Sequence, residues 1–143
     1  MQIRYLNLTP AVQLPHESTL QQVIAIMTQA ETECVVLTHS QEGKQSQPVG
    51  IVTERDLVIL LLNHGTDLSI GITNATTNSH LITIHEKDSS RRAIKLMSQH
   101  GVHKLPVLRE DGSLKGILTV DNLLHHLANS NQRLISPVVE SMM

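Results

Sequence analysis

The sequence predicts an α+β fold in which two βαββα copies of one unit pack as a pseudo-twofold pair. Three observations predict it. The phrase Gly50-Ile51-Val52-Thr53-Glu54-Arg55-Asp56-Leu57 returns as Gly116-Ile117-Leu118-Thr119-Val120-Asp121-Asn122-Leu123. Upstream, Val23-Ile24-Ala25-Ile26-Met27 corresponds to Ala93-Ile94-Lys95-Leu96-Met97, and Val35-Val36-Leu37 to Leu105-Pro106-Val107. Each copy alternates short apolar runs with segments of helical period, the pattern of a repeated supersecondary unit.

The elements follow in order. Val12 and Leu14 alternate with polar neighbours as a short strand. Ser18 or Thr19 then caps a helix whose apolar positions are Leu20, Val23, Ile24 and Met27. Val35-Val36-Leu37 and Val49-Gly50-Ile51-Val52 read as buried strands, and the polar stretch Ser40 to Gln47 between them as a surface hairpin loop. A second helix runs from Thr53 to about Asn63 and stops at Gly65.

Copy two repeats the plan. It has a strand at Leu81-Ile82-Thr83-Ile84, a helix from about Ser89 to Gln99, strands near Lys104–Leu108 and Leu114–Leu118, and a last helix after Thr119. Met27 recurs 70 positions on (97 − 27) and Gly50 66 positions on (116 − 50), so the first copy carries four extra loop residues. The expected boundaries are repeat 1 at 7–65, a Thr/Asn-rich linker at 66–79, repeat 2 at 80–130 and a tail at 131–143, where Pro137 would end any helix.

Composition excludes several functions. A chain of 143 residues with 40% hydrophobic residues suits one domain with a core. Eleven basic against 13 acidic side chains leave a net charge of −2, and Tyr5 is the sole aromatic, so no nucleic-acid surface is expected. The longest apolar run, Leu57 to Leu62, is far short of the roughly 20 residues of a membrane span. There is no apolar signal region, and the single cysteine, Cys34, fits a reducing compartment; a cytoplasmic, membrane-free protein is expected. That same run is apolar all round its helix, so one face needs a second helix from the other copy or another chain, and a homodimer is expected.

No Walker loop, GxSxG elbow or carboxylate pair at a catalytic spacing is present, and Cys34 opens an apolar strand, so no enzyme is expected. The nine histidines include no HExxH motif and no cysteine cluster accompanies them; they read as surface, with no metal site expected. Thr53 with Asp56, and Thr119 with Asn122, have the spacing of helix N-caps.

Set in the doubled unit, the two phrases resemble the cystathionine-β-synthase (CBS) domain pair, or Bateman module, over about Asn7 to Asn129. The resemblance implies a sensory role, with clefts between the repeats binding adenosine-containing ligands and a partner or attached output domain reading the result. Candidate ligands are AMP, ADP, ATP and S-adenosylmethionine; no cofactor is required. The chemistry is reasonable: a carboxylate such as Asp56 accepts from both hydroxyls of a ribose, and phosphate suits a helix start with a hydroxyl and a cation.

Carried over by position, the resemblance implies two half-sites. One combines Thr53, Arg55 and Asp56 with Thr77, His80 and Ile82. The other combines Thr119 and Asn122 with Asn7, Pro10 and Val12, and adds His103 and Lys104 as phosphate contacts. Asn122 stands where the pattern has aspartate, and Glu33-Cys34 stands in copy one where His103-Lys104 stands in copy two, so the two sites are expected to be unequal. The rival expectation is a ligand-free dimerisation scaffold for an output domain.

Overall fold

Both repeats turn from strand to helix at a threonine, and that turn organises the molecule. The computed structural model describes residues 1–65, 67–75 and 81–130. In chain order the strands are β1 (Gln13–Pro15), β2 (Cys34–His39), β3 (Gln47–Thr53), β4 (Ile84–His85), β5 (Lys104–Leu108) and β6 (Leu114–Thr119). The helices are α1 (Leu20–Ala30), α2 (Glu54–His64), α3 (Ile72–Ala75), α4 (Ser90–His100) and α5 (Val120–Ser130), and a 3-10 turn spans Ile3–Tyr5. None of the described helices is long and apolar enough to cross a membrane.

The strands form two three-stranded sheets, ordered β1-β2-β3 and β4-β5-β6. β1 runs parallel to β2, and β2 antiparallel to β3 with Cys34 opposite Thr53. β4 runs parallel to β5. The expected strand Leu81–Ile84 needs correcting: only Ile84 and His85 pair, with Val107 and Leu108. Ile82 is instead held by packing against the core, which needs no ladder hydrogen bond. Ser40–Ser46 is exposed, as a polar loop joining two strands should be; Gln47, expected in the loop, already pairs with His39 as the first residue of β3.

The chain forms two compact units. One takes Ala11–Leu81 with Glu110–Leu114; the other takes Met1–Pro10, Ile82–Arg109 and the chain from Lys115. In the first, α1 buries Leu20, Val23 and Met27 against Val35 and Leu37 of β2, Val52 of β3 and Leu60 of α2. In the second, Ala93 and Met97 of α4 meet Leu105 and Val107 of β5, Leu118 of β6 and Leu123 of α5. Each of the valine, leucine and methionine side chains among these contributes about 1.5–3 kcal/mol when fully buried.

The start of α1 shows why the helices begin where they do. Thr19 accepts a hydrogen bond from the Gln22 amide (3.2 Å), and the Gln22 side chain accepts from the Thr19 amide (2.9 Å). The next orphan donors find carbonyls on a neighbouring segment: Leu20 N–H donates to Ile70 (2.9 Å) and Gln21 N–H to Leu68 (2.9 Å). Ile72 closes that segment, fully buried. At α4 the N-terminal residues serve in the same way. Ser90 N–H donates to Met1 (2.9 Å), while Ile3 and Arg4 donate to Asp88 (2.8 Å) and Glu86 (2.7 Å). Each unit is thus completed by the segment that precedes the other repeat in the chain.

Candidate functional site

The start of α2 carries Thr53, Arg55 and Asp56. Thr53 is extended (φ −107°, ψ 168°) and accepts from the Asp56 amide at 3.3 Å. Asp56 Oδ2 in turn accepts from the Thr53 amide at 2.9 Å and from the Thr53 hydroxyl at 3.0 Å. The capping arrangement is complete, and it uses one carboxylate oxygen. Among the described residues Oδ1 takes no hydrogen bond, so the half-buried carboxylate keeps lone pairs for a ligand hydroxyl. Arg55 is exposed beside it.

The start of α5 repeats this with an amide. Asn122 Oδ1 accepts from the Thr119 amide at 2.9 Å, and Thr119 accepts from the Asn122 amide at 3.0 Å. Asn122 thus fills the structural place of Asp56 without its charge. Thr9 adds a third bond, its hydroxyl donating to Asn122 Oδ1 at 3.3 Å. The segment bearing Thr9 is seated by paired backbone bonds with Ile117, 2.9 and 2.8 Å long. Gly116 permits that approach: a Cβ there would stand 3.1 Å from both Leu8 Cβ and Thr9 O.

A second backbone bond recurs in both repeats and fixes their electrostatic difference. Glu54 N–H donates to Glu33 C=O (3.1 Å), and Val120 N–H to His103 C=O (3.1 Å). The residue beside the helix start is therefore an exposed acid in one repeat and an exposed histidine, followed by half-buried Lys104, in the other. A phosphate is disfavoured by Glu33 and Glu54 at α2 and favoured by His103 and Lys104 at α5.

Beside α5 an open depression of about 600 Å³ is lined by Asn7, Asp121 and Asn122, together with Tyr5, Leu6, His125, His126 and Asn129. Asn7 and Asn122, which the family resemblance pairs, thus both line it. Pro10 is exposed at the end of the same N-terminal segment. Val12 packs against the core around Leu20 and Val35, and Ile82 against that around Leu105 and Val107. Thr77 and His80 lie outside the described residues. In the sequence His125 and His126 read only as surface histidines and Asn129 is not singled out; all three follow Asn122 at helical spacing, the signal that could have found them.

The CBS domain model matches this chain twice, over residues 4–63 and 74–129. Inosine-5'-monophosphate dehydrogenase of Staphylococcus saprophyticus is 32% identical over 109 residues, which is 76% of this chain and 20% of that enzyme. The chain spans less than half the length of the curated relatives it first matches. A CBS domain protein from Pyrobaculum aerophilum, solved as its AMP complex, superposes with a TM-score of 0.73 at 24% identity, covering 91% of this chain and all of that one. The CBS domain pair of protein MJ0100, solved with 5'-methylthioadenosine and S-adenosyl-L-methionine, gives 0.72 at 17% identity over 90% of this chain and 97% of that one. At these identities the likeness is one of fold.

Proposed function

This chain belongs to the CBS domain family, and from that premise we propose that it is a regulatory module binding an adenosine-containing ligand at a threonine-capped helix start. The observation that carries the reading is the shared geometry of the two starts, Thr53 with Asp56 and Thr119 with Asn122, each capped and each keeping polar capacity. The AMP, methylthioadenosine and S-adenosylmethionine held by its structural relatives supply the ligand class.

The two starts are unequal. The α2 start offers a ribose its carboxylate. The α5 start offers a phosphate His103 and Lys104, with Asn7 and Asp121 nearby. By resemblance to the family pattern, Thr77, His80 and Ile82 are proposed to complete the first, and Pro10 and Val12 the second. One ligand of high affinity per chain is the expected outcome. The role is regulatory rather than catalytic, exercised in the cytoplasm on an output protein or domain.

Thermal unfolding against AMP, ADP, ATP and S-adenosylmethionine tests this. A ligand at 100 times its Kd stabilises by about 2.7 kcal/mol, a shift of several degrees in the midpoint. Loss of that shift in Asp56→Ala or in Asn122→Ala would assign the site. No shift with any of them would leave the ligand-free scaffold.

A second reading, self-association, rests on α2. Of its apolar residues only Leu60 is buried, while Val58 (57%) and Leu62 (80%) stay largely exposed, with Ile59 and Leu61 beside them. On α5, Leu124 is also exposed. Covering this surface with a second copy would bury about two side chains' worth of apolar area per chain on α2 alone, roughly 3–6 kcal/mol. Light scattering should find a dimer, and Leu62→Glu should weaken it; a monomer at high concentration would refute self-association through α2.

A further inference from the structure

The parallel pairing of β1 with β2 brings the neighbours His16 and Glu17 together with His39, which lies 23 positions after His16. The register sets Pro15 beside Thr38, and His16 N–H extends the ladder by one bond to the Thr38 carbonyl (2.8 Å). Thr38 Oγ1 donates back to Leu14 C=O (3.3 Å), pinning the two strand ends to each other. His16 and His39 are therefore fixed side by side by backbone. Their rings meet edge to face, centroids 4.9 Å apart at 60°. His16 Nε2 lies 2.9 Å from His39 Nδ1, and Glu17 Oε1 lies 2.8 Å from that same Nε2.

The proton arithmetic of this cluster is unfavourable. Each imidazole nitrogen holds either one proton or one lone pair. A proton on His16 Nε2 faces two acceptors and can align with only one of them. A proton on His39 Nδ1 satisfies His16 but leaves the carboxylate against the Nε2 lone pair. A cation between the three accepts an electron pair from each and removes the conflict.

We propose that His16, Glu17 and His39 form a binding site for a divalent transition-metal ion of the zinc type. Two imidazoles and one carboxylate are the ligands such an ion takes, whereas calcium and magnesium prefer oxygen alone. The three donor atoms lie within 4.8 Å of one another, the only such group of three among the described residues. With metal–ligand bonds of about 2.0–2.1 Å at tetrahedral angles, donors stand about 3.3 Å apart. The two contacts to His16 Nε2, 2.8 and 2.9 Å, need to lengthen by about half an ångström, and Glu17, 69% exposed, has the freedom to adjust. His16 is 28% exposed, which gives the ion a route in, and water would fill the fourth position. The ion would tie the β1 end to the β2 end, next to the Thr19 cap of α1.

Titrating the full chain, first stripped with a chelator, with Zn²⁺ against a competing chromophoric chelator tests the site. The expected result is one saturable high-affinity Zn²⁺ per chain. His39→Gln and Glu17→Gln should each weaken it tenfold or more, and His64→Gln should leave it unchanged. Co²⁺ in the same site should show the visible absorption of a four-coordinate nitrogen and oxygen set, lost in His39→Gln. Glu17 is exposed, so its variant keeps the fold, checked by circular dichroism. Absence of saturable Zn²⁺ binding, or binding equally tight in Glu17→Gln and His39→Gln, would overturn the proposal.

Discussion

Replacing Asp56 in two ways separates its structural role from any ligand role. In Asp56→Ala the Thr53 amide loses its acceptor at 2.9 Å and the Thr53 hydroxyl loses its own at 3.0 Å. Thr53 still caps the residue-56 amide, so only the reciprocal half of the capping box is lost, which costs about 1 kcal/mol. Removing a negative charge from the first turn of a helix costs about 0.3–1 kcal/mol more. The half-buried setting holds the total near 2 kcal/mol. Asp56→Asn should cost far less, because the other repeat already contains the result: Asn122 Oδ1 accepts the Thr119 amide at the same 2.9 Å. Only the dipole interaction is then lost, about 0.5 kcal/mol. Urea unfolding followed by circular dichroism without ligand should show these two values at unchanged m. If Asp56→Asn proves as costly as Asp56→Ala, the equivalence of the two caps is refuted. If the order holds, Asp56→Asn becomes the clean probe of ribose binding, since it removes the carboxylate and spares the helix.

Three further perturbations follow from local geometry. Glu31 ends α1 in the left-handed region (φ 51°) where Gly101 ends α4 (φ 62°), so Glu31→Gly should stabilise the protein by about 1 kcal/mol, read in the same urea experiment; a loss would contradict it. Gly116→Ala should destabilise by about 1–3 kcal/mol and weaken ligand binding at α5, because its Cβ meets the backbone that seats Thr9; unchanged stability would show that the segment yields freely. Asp67 is held below the ordinary carboxylate range, first by the Ser69 hydroxyl (2.6 Å) and then by the Ser69 amide (3.2 Å). A depressed carboxylate stabilises the fold above its unfolded pKa and loses that contribution as pH falls through its folded one. An NMR titration of Ser69→Ala should find Asp67 moved up toward 3.8, and an unmoved Asp67 would contradict the assignment.

The elements set by local chemistry were legible in the chain. Thr19, Thr53 and Thr119 announce helix starts because a cap and its partner lie within one turn. Val35 to Leu37 reads as a buried strand because every side chain is apolar. Partners chosen by long-range pairing were not legible. Nothing in Met1–Pro10 says that its backbone will serve α4 and β6, and Ile72, inside a Thr/Asn-rich stretch read as linker, is fully buried. Both depend on strand edges that only the fold brings near. The same holds for His16 and His39, joined by the register of two parallel strands. At the candidate site, the family resemblance pairs Asn7 with Asn122, whereas the bond from Thr9 to Asn122 depends on a chain crossing that no local pattern announces.

Binding of an adenosine-containing ligand at a capped helix start is open to an amide-resolved NMR titration of the full chain with AMP. Saturable shifts are expected at Thr119 to Asn122 with Asn7 and Thr9, or at Thr53 to Asp56, with their loss in Asn122→Ala or Asp56→Asn respectively. Shifts confined to other surfaces, or none at saturating AMP and S-adenosylmethionine alike, would contradict it.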